Sequence, residues 1–318
     1  MLLDRKNPIH LRETLIVFAL ILVLFVLGNI FDFKIAESIH AIEGATPFEV
    51  TMSAVAELPV IAALGIGGCF CIKGRPHNCH KFWTVFMTIA GIAGIIAAAY
   101  FCFDTFKYIY RFEHLSNLDP RSPNFDNPVV IIVAAIVTVL MLVGLFFFYK
   151  KLTPKFDKRT MLIIGFFFLL MSLVVAIFAT GFKYLWSRPR PLYVFRESDP
   201  TSAFRYLYQL NPLYALRADI SDNFKSFPSG HTTYASLGMT LLPLLTLVSD
   251  KQKDNRKLQI ALFYVGLVWT LLVALSRMLA EAHFLSDVSG AILIAFVVTT
   301  ILRTVLFKLK SKKETAIA

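Results

Sequence analysis

Long apolar runs are the feature that most constrains how this chain can fold. Eight segments have about the 20 residues that a helix needs to cross the hydrocarbon core of a bilayer. They are 14–31, 51–72, 82–103, 129–149, 160–182, 229–249, 258–276 and 284–302. Buried helices of a soluble protein would show polar faces, which these runs lack. The sequence therefore predicts an all-α, polytopic membrane helix bundle of about eight transmembrane helices.

Composition agrees with a membrane protein. Of the 318 residues, 57% are hydrophobic and only 17% are charged, less charge than a soluble domain carries. The first run follows Arg5, Lys6 and Arg12, as a secretory signal would, but no small-residue cleavage pattern follows it. We interpret this run as a retained anchor.

The distribution of Lys and Arg predicts the orientation. Twenty of the 32 basic residues lie in the N-terminal tail, in alternate connections between spans and at the C-terminal end. The connection after the first span instead holds Lys34 against Glu37, Glu43 and Glu49. Since basic residues concentrate in cytoplasmic loops, we expect both termini in the cytoplasm. The net charge of +11 then reflects topology and does not indicate nucleic-acid binding.

The cysteines do not form a disulfide framework, because three of the four lie near the cytoplasmic end of the second span. One alternative is a zinc site, whose ligands would be the thiolates and imidazoles of Cys69, Cys71, His77, Cys79 and His80. Their spacing matches no common zinc pattern. We therefore favour ordinary packing, and we predict neither a metal site nor a cofactor.

Polar residues that could bind phosphate follow the fifth span. Lys183 and Arg190 are separated by six residues, and Pro189 and Pro191 favour an extended chain after the helix. Arg presents a planar fork to phosphate oxygens, and Lys supplies a compact charge. Basic residues also commonly flank spans, so this segment alone is weak support for an anion site.

The sixth span opens with Pro228-Ser229-Gly230-His231. Gly230 permits a close backbone approach, and the N–H groups at a helix start favour anions. Ser229 can cap the helix and donate to a phosphate oxygen. A plain capped helix start is the alternative reading.

The seventh span ends with an ionisable cluster that contains Arg277, Glu281, His283 and Asp287. Such groups are costly at the edge of apolar helices unless they have a function. His283 and Asp287 are four residues apart, so on one helical face the carboxylate would reach the imidazole and fix its tautomer. The alternative is an interfacial cluster of salt bridges.

Under the predicted topology, the three segments lie on the same outer side. Together they resemble the signature of the type 2 phosphatidic acid phosphatase superfamily, the membrane lipid phosphate phosphatases. Its pattern is Lys-x6-Arg-Pro, Pro-Ser-Gly-His and Ser-Arg-x5-His-x3-Asp. Here these positions are Lys183, Arg190 and Pro191, then Pro228 to His231, then Ser276, Arg277, His283 and Asp287. All eleven fixed positions are filled, and the resemblance covers roughly residues 160–302.

The resemblance implies a role for each of these residues. His283 would be the nucleophile and Asp287 would hold it oriented and basic. His231 would protonate the leaving alkoxide and then activate water. The phosphoryl oxygens would be bound by Lys183, Arg190, Ser229, Gly230 and Arg277.

The resemblance also divides the chain. Residues 1–159 are expected to form a four-helix membrane region with about two helices beyond the six-span family core. Residues 160–302 would be the catalytic core, with an outer loop at 184–227, and 303–318 a basic cytoplasmic tail. Glu281 stands where many relatives have Gly, and its carboxylate would either pair with Arg277 and compete with phosphate or shape substrate choice.

The expected partners are the bilayer and a lipid phosphate presented laterally from the outer leaflet, with no obligate protein partner and no nucleic acid. Family substrates include phosphatidic acid, phosphatidylglycerol phosphate and isoprenoid pyrophosphates, and nothing in the sequence selects among them. Two alternatives stay open: a lipid phosphotransferase that uses the same pocket, and a membrane protein that binds phosphate without turnover. A bacterial inner membrane, with the site on the periplasmic side, is the expected location.

Overall fold

The computed structural model describes residues 11–41, 47–75, 80–110, 128–217, 221–243 and 256–315. Within these ranges the chain forms helices and turns and no strand. The α-helices are α1 (Leu11–His40), α2 (Pro47–Val55), α3 (Leu58–Gly74), α4 (Lys81–Tyr110), α5 (Pro128–Leu152), α6 (Lys158–Trp186), α7 (Pro191–Val194), α8 (Pro200–Ala203), α9 (Tyr214–Arg217), α10 (Gly230–Ser236), α11 (Gly238–Leu241), α12 (Arg256–Leu279) and α13 (Leu285–Thr315). Short 3₁₀ helices occupy Thr153–Lys155 and Ser221–Phe224.

Seven apolar segments of the described ranges are long enough to cross a bilayer. They are Glu13–His40, Pro47–Gly74, Lys81–Thr105, Ile131–Lys155, Lys158–Val194, Lys257–Leu279 and Leu285–Val305. Each overlaps one predicted span, which confirms the all-helical class. The remaining predicted span, 229–249, lies partly outside the described residues, and its described part forms α10 and α11. The count of eight and the placement of both termini in the cytoplasm stay predictions.

Two span boundaries differ from the prediction. The first helix does not stop at 31 but continues to His40, so Asp32 lies inside α1. The second predicted span is divided into α2 and α3 by a turn at Ala56 and Glu57. Pro59 lies in the first turn of α3, where its missing N–H breaks no helical hydrogen bond. The break gives α2 its own contacts with α4 and α12.

Glycines bring the central helices together. Helix α3 packs against α4 and α6, and most of its residues are buried. A Cβ at Gly68 would collide with the Gly91 carbonyl of α4, and one at Gly165 of α6 would lie 2.9 Å from the backbone N of Cys71. Small residues that let backbones approach are a common basis of helix packing in membranes. The peripheral helices instead expose large side chains, such as Leu140 and Phe147 of α5, as lipid-facing helices do.

The cysteines of the described residues are free thiols inside helices, with Cys69 and Cys71 in α3 and Cys102 in α4. Among described residues, no group of three His, Cys, Asp or Glu side chains is arranged to hold a metal. His77 and Cys79 lie outside the described residues, so the zinc alternative stays a hypothesis.

Helix α1 packs closely on the start of α13. A Cβ added to Gly28 would lie 2.5 Å from the backbone N of Ser286, a distance that real structures do not allow. Asp32 follows one helical turn later on the same face. The missing side chain at Gly28 therefore lets Asp32 approach the residues around Ser286.

We expect Gly28→Ala to push α1 away from α13 and to destabilise the protein by about 1–3 kcal/mol, as overpacking does elsewhere. The matched control is Gly144→Ala in α5, where an added Cβ meets nothing within 4 Å. That change should be neutral or stabilising by up to about 1 kcal/mol, because Ala favours a helix over Gly. Thermal unfolding in detergent measures both. Equal melting temperatures for the two variants would contradict the proposed close contact.

Candidate functional site

The structure brings the three predicted segments together at one end of the bundle. The backbone N–H of Ser229 donates to the Asp287 carbonyl at 3.3 Å, which joins the second and third segments. The N–H of Leu192 donates to the Glu281 carbonyl at 2.9 Å, which joins the first and third. The two bonds join loops that are about 50 to 90 residues apart in the sequence. They therefore fix the positions of these loops relative to one another.

His283 is buried in the turn between α12 and α13, with 3% of its surface exposed. Its Nδ1 lies 2.6 Å from the backbone carbonyl of Ser226. A carbonyl oxygen only accepts hydrogen bonds, so Nδ1 must carry the proton. In the neutral ring the lone pair is then on Nε2, which is the nitrogen able to attack an electrophile.

Asp287 does not bind the imidazole directly, and this part of the sequence prediction is wrong. Its Oδ2 accepts a hydrogen bond from Ser226 Oγ at 2.5 Å and one from the N–H of Phe284 at 2.9 Å, and its Oδ1 lies 2.7 Å from Arg188. The prediction assumed one helical face, but α13 begins only at Leu285, so His283 precedes the helix. The carboxylate instead fixes Ser226, whose carbonyl orients the ring.

Arg188 is the buried cation that links this carboxylate to α1. Only 2% of Arg188 is exposed, and its Nη2 lies 2.9 Å from Asp32 while its Nη1 reaches Asp287 and Ser286. Its guanidinium also stacks 4.3 Å from the centroid of the Phe284 ring. Asp32 accepts a further bond from the N–H of Ser286 at 3.0 Å. Two carboxylates thus pair with one guanidinium away from water, because a buried charge needs a partner.

The predicted cations surround His283. The Nζ of Lys183 lies against the backbone of Gly230, where an added Cβ would be 3.4 Å away. Burial lowers the pKa of the His283 imidazole well below its ordinary value, and the positive charges of Arg190, Arg277 and Lys183 lower it further. Imidazolium would be repelled by these cations, so the ring is held in its neutral form.

The second segment forms the short helix α10. Ser229 is its N-cap: Ser229 Oγ accepts from the N–H of Thr232 at 3.4 Å and from the Thr232 hydroxyl at 2.9 Å. These are accepting roles, so the hydroxyl hydrogen of Ser229 remains able to donate. The predicted helix cap is confirmed, and His231 lies two residues beyond it.

Glu281 has a positive φ of 50°, a backbone conformation that glycine adopts most readily. Its carboxylate does not pair with Arg277. Glu281 Oε2 lies 2.9 Å from His40 Nδ1 at the end of α1, and the His40 ring stacks on Phe195 at 5.0 Å. The Glu281 side chain therefore connects α1 to the turn between α12 and α13 and does not compete for the Arg277 guanidinium.

Sequence reasoning missed four residues of the site: Asp32, Ser53, Arg188 and Ser226. Asp32 had a usable signal, because an acid at the edge of an apolar run is costly without a partner. Arg188 lies two residues before the predicted Arg190, in the loop after α6, where basic residues are common. Ser53 and Ser226 belong to no motif that the sequence analysis identified. Only the fold shows that Ser53 Oγ lies 2.6 Å from Arg277 Nη1.

The fold and site define a polytopic helical membrane protein with a buried neutral histidine among fixed cations. Residues 164–311 match the family model of the PAP2 superfamily, which confirms the resemblance predicted from the motifs. Phosphatidylglycerophosphatase B of Haemophilus influenzae is 29% identical over 144 residues, covering 39% of this chain and 57% of that relative. This chain thus matches little more than half the length of the relative. No solved structure gives a significant match.

Removing the charge of Asp32 should destabilise the protein. Asp32→Asn breaks the ion pair with Arg188 but leaves Arg188 paired with Asp287, so we expect a loss of about 1.5–3 kcal/mol, as for a hydrogen bond to a charged group. Glu37→Gln is the control, because Glu37 is an exposed acid on the same helix, and such surface changes stay within about 0.5 kcal/mol. Thermal unfolding in detergent measures both, and equal stability of the two variants would refute a bracing role for Asp32.

The lowered pKa of His283 predicts how stability depends on pH. Between the folded pKa and about 6.5 the unfolded chain binds a proton that the folded protein does not, so the wild type loses stability as pH falls through this range. In His283→Gln this contribution is absent. The stability difference between wild type and variant should shrink by up to about 1.4 kcal/mol per pH unit below 6.5. A difference that stays constant from pH 7.5 to 5 would contradict a buried neutral imidazole.

Proposed function

We propose that this chain is an integral membrane lipid phosphatase that transfers the phosphate of a lipid headgroup to His283 and then to water. The observation that carries the proposal is the hydrogen bond of 2.6 Å from His283 Nδ1 to the Ser226 carbonyl. It leaves the lone pair on Nε2, in a ring kept neutral beside Lys183, Arg190 and Arg277. A nucleophile and cations for the transferred group are the components that phosphoryl transfer needs.

In the first step, His283 Nε2 attacks phosphorus, a P–N bond forms and the P–O bond to the lipid breaks. Negative charge on the equatorial oxygens is stabilised by Lys183, Arg190 and Arg277, with the Ser229 hydroxyl and the Gly230 N–H as donors. Because side chains supply this positive charge, the chemistry does not call for a metal ion. The departing alkoxide takes a proton from His231.

In the second step, the same imidazole of His231, now neutral, takes a proton from water. The hydroxide attacks phosphorus, the P–N bond breaks and inorganic phosphate leaves. Asp287 acts through Ser226, since its carboxylate binds the Ser226 hydroxyl and so holds the carbonyl that orients His283. In this mechanism Asp287 is a positioning residue.

The substrate we favour is a phospholipid with a terminal phosphate monoester or pyrophosphate. The name of the Haemophilus influenzae relative supports phosphatidylglycerol phosphate among the candidates, with phosphatidic acid and isoprenoid pyrophosphates next. Long exposed apolar helices would keep the lipid tails in the bilayer while the headgroup enters the site laterally. The basic residues of the alternate loops support a site on the outer face, which in a bacterial inner membrane is the periplasmic side.

The test is phosphate release by purified protein in mixed micelles with phosphatidylglycerol phosphate, phosphatidic acid or an isoprenoid pyrophosphate. We expect EDTA-resistant release that His283→Ala lowers by at least about 1,000-fold, because the nucleophile is lost. His80→Ala is the control, since His80 is an exposed histidine at the start of α4. Acid-labile phosphate bound to the wild type, and absent from His283→Ala, would identify the intermediate.

Other outcomes separate the alternatives. Phosphate that appears on an acceptor lipid instead of in solution indicates a phosphotransferase. Inorganic phosphate that stabilises the protein without any turnover indicates a non-catalytic phosphate-binding protein. Release that survives in His283→Ala refutes the proposed nucleophile.

A further inference from the structure

Helix α2 lies outside the segment that matches the family model, yet it contacts the site. The match covers 164–311, whereas α2 is Pro47–Val55. It packs on α12, the helix that carries Arg277 near its C-terminal end. The division of the second apolar segment at Ala56 and Glu57 gives α2 this position.

A buried serine of α2 contacts Arg277. Ser53 Oγ lies 2.6 Å from Nη1 of Arg277, and the two residues are 2% and 8% exposed. The same hydroxyl donates its hydrogen to the Glu49 carbonyl, one helical turn earlier, at 2.7 Å. A serine hydroxyl has only one hydrogen, so towards Arg277 it must present a lone pair.

This arrangement fixes the guanidinium. Because the hydroxyl hydrogen is committed to the Glu49 carbonyl, the Ser53 oxygen is an acceptor of defined direction and cannot rotate to donate to a phosphate. A guanidinium is planar, so a short bond to one terminal nitrogen restrains the orientation of the whole fork. A restrained guanidinium already points toward the oxygens on which negative charge develops in the transition state. The side chain then does not have to reorient during the reaction.

We propose that Ser53 is a positioning residue of the phosphate site, through which α2 orients Arg277 for the transition state. The proposal rests on the proposed function, in which Arg277 binds the transferred phosphoryl group. It assigns to the N-terminal region an indirect part in the chemistry, through Arg277, of a site whose motifs all lie in the C-terminal half.

The experiment compares wild type, Ser53→Ala and Thr51→Ala. Thr51 is the matched control, because it lies on the same helix and its hydroxyl makes the same kind of bond, to the Pro47 carbonyl at 2.8 Å, while remaining exposed. We expect Ser53→Ala to lower kcat and kcat/KM together by about tenfold, as loss of a hydrogen bond to a charged group does. KM should change less than about twofold, and Thr51→Ala should match wild type.

Vanadate gives a second readout, since it adopts the five-coordinate geometry of the transition state. Its inhibition constant should rise by the same factor as kcat falls in Ser53→Ala. In an Arg277→Lys background the Ser53→Ala change should add little, because Lys cannot form the restrained fork. A loss that is equally large in that background would show a general structural role and overturn the proposal.

The result can be separated from failure of the proposed function. If wild type hydrolyses none of the lipids, stabilisation of the protein by vanadate still tests Ser53, because an oriented Arg277 binds the five-coordinate anion in either case. Equal vanadate binding by wild type and Ser53→Ala would overturn the inference. If Ser53→Ala does not fold, Ser53→Cys keeps the side-chain size with only a weak acceptor and should give the same loss.

Discussion

The buried guanidinium of Arg188 is the interaction on which the site depends. It binds Asp32 of the first helix and Asp287 of the last, together with the Ser286 hydroxyl. These groups are almost fully buried, so their charges are stabilised by one another and by the hydrogen bonds around them instead of by bulk water. Because the members come from α1, from the loop after α6 and from the start of α13, the network forms only when all three are in place.

The geometry of His283, the proposed nucleophile, follows from this network. Asp287 fixes Ser226 by a hydrogen bond to its hydroxyl, and the Ser226 carbonyl then fixes the ring of His283. The cations around the ring serve two purposes in the proposed mechanism: they keep the imidazole unprotonated, and they attract the phosphate that it attacks. A site of this kind needs no mobile group to create the nucleophile, because burial and fixed charges already select the neutral form.

Helix α1 and helix α2 extend the site beyond the segment shared with the PAP2 superfamily. In α1, Gly28 permits the close approach that lets Asp32 reach Ser286. In α2, Ser53 accepts a hydrogen bond from Arg277. His40 adds a third tie through Glu281. The N-terminal region therefore contributes hydrogen-bond partners to residues of the site as well as apolar surface to the bilayer.

The sequence alone determined the all-helical membrane class and the positions of most spans, and by resemblance it predicted the residues that bind phosphate, because run length and motif spacing are local properties of the chain. It could not assign the partner of His283, since the expected contact with Asp287 assumed a helix that starts only at Leu285. Asp32, Ser53 and Ser226 act on residues that are between 57 and 254 positions away, so no spacing rule connects them to the site. Only the tertiary structure decided these pairings, because a buried polar group takes whichever partner the packing of distant helices brings within reach.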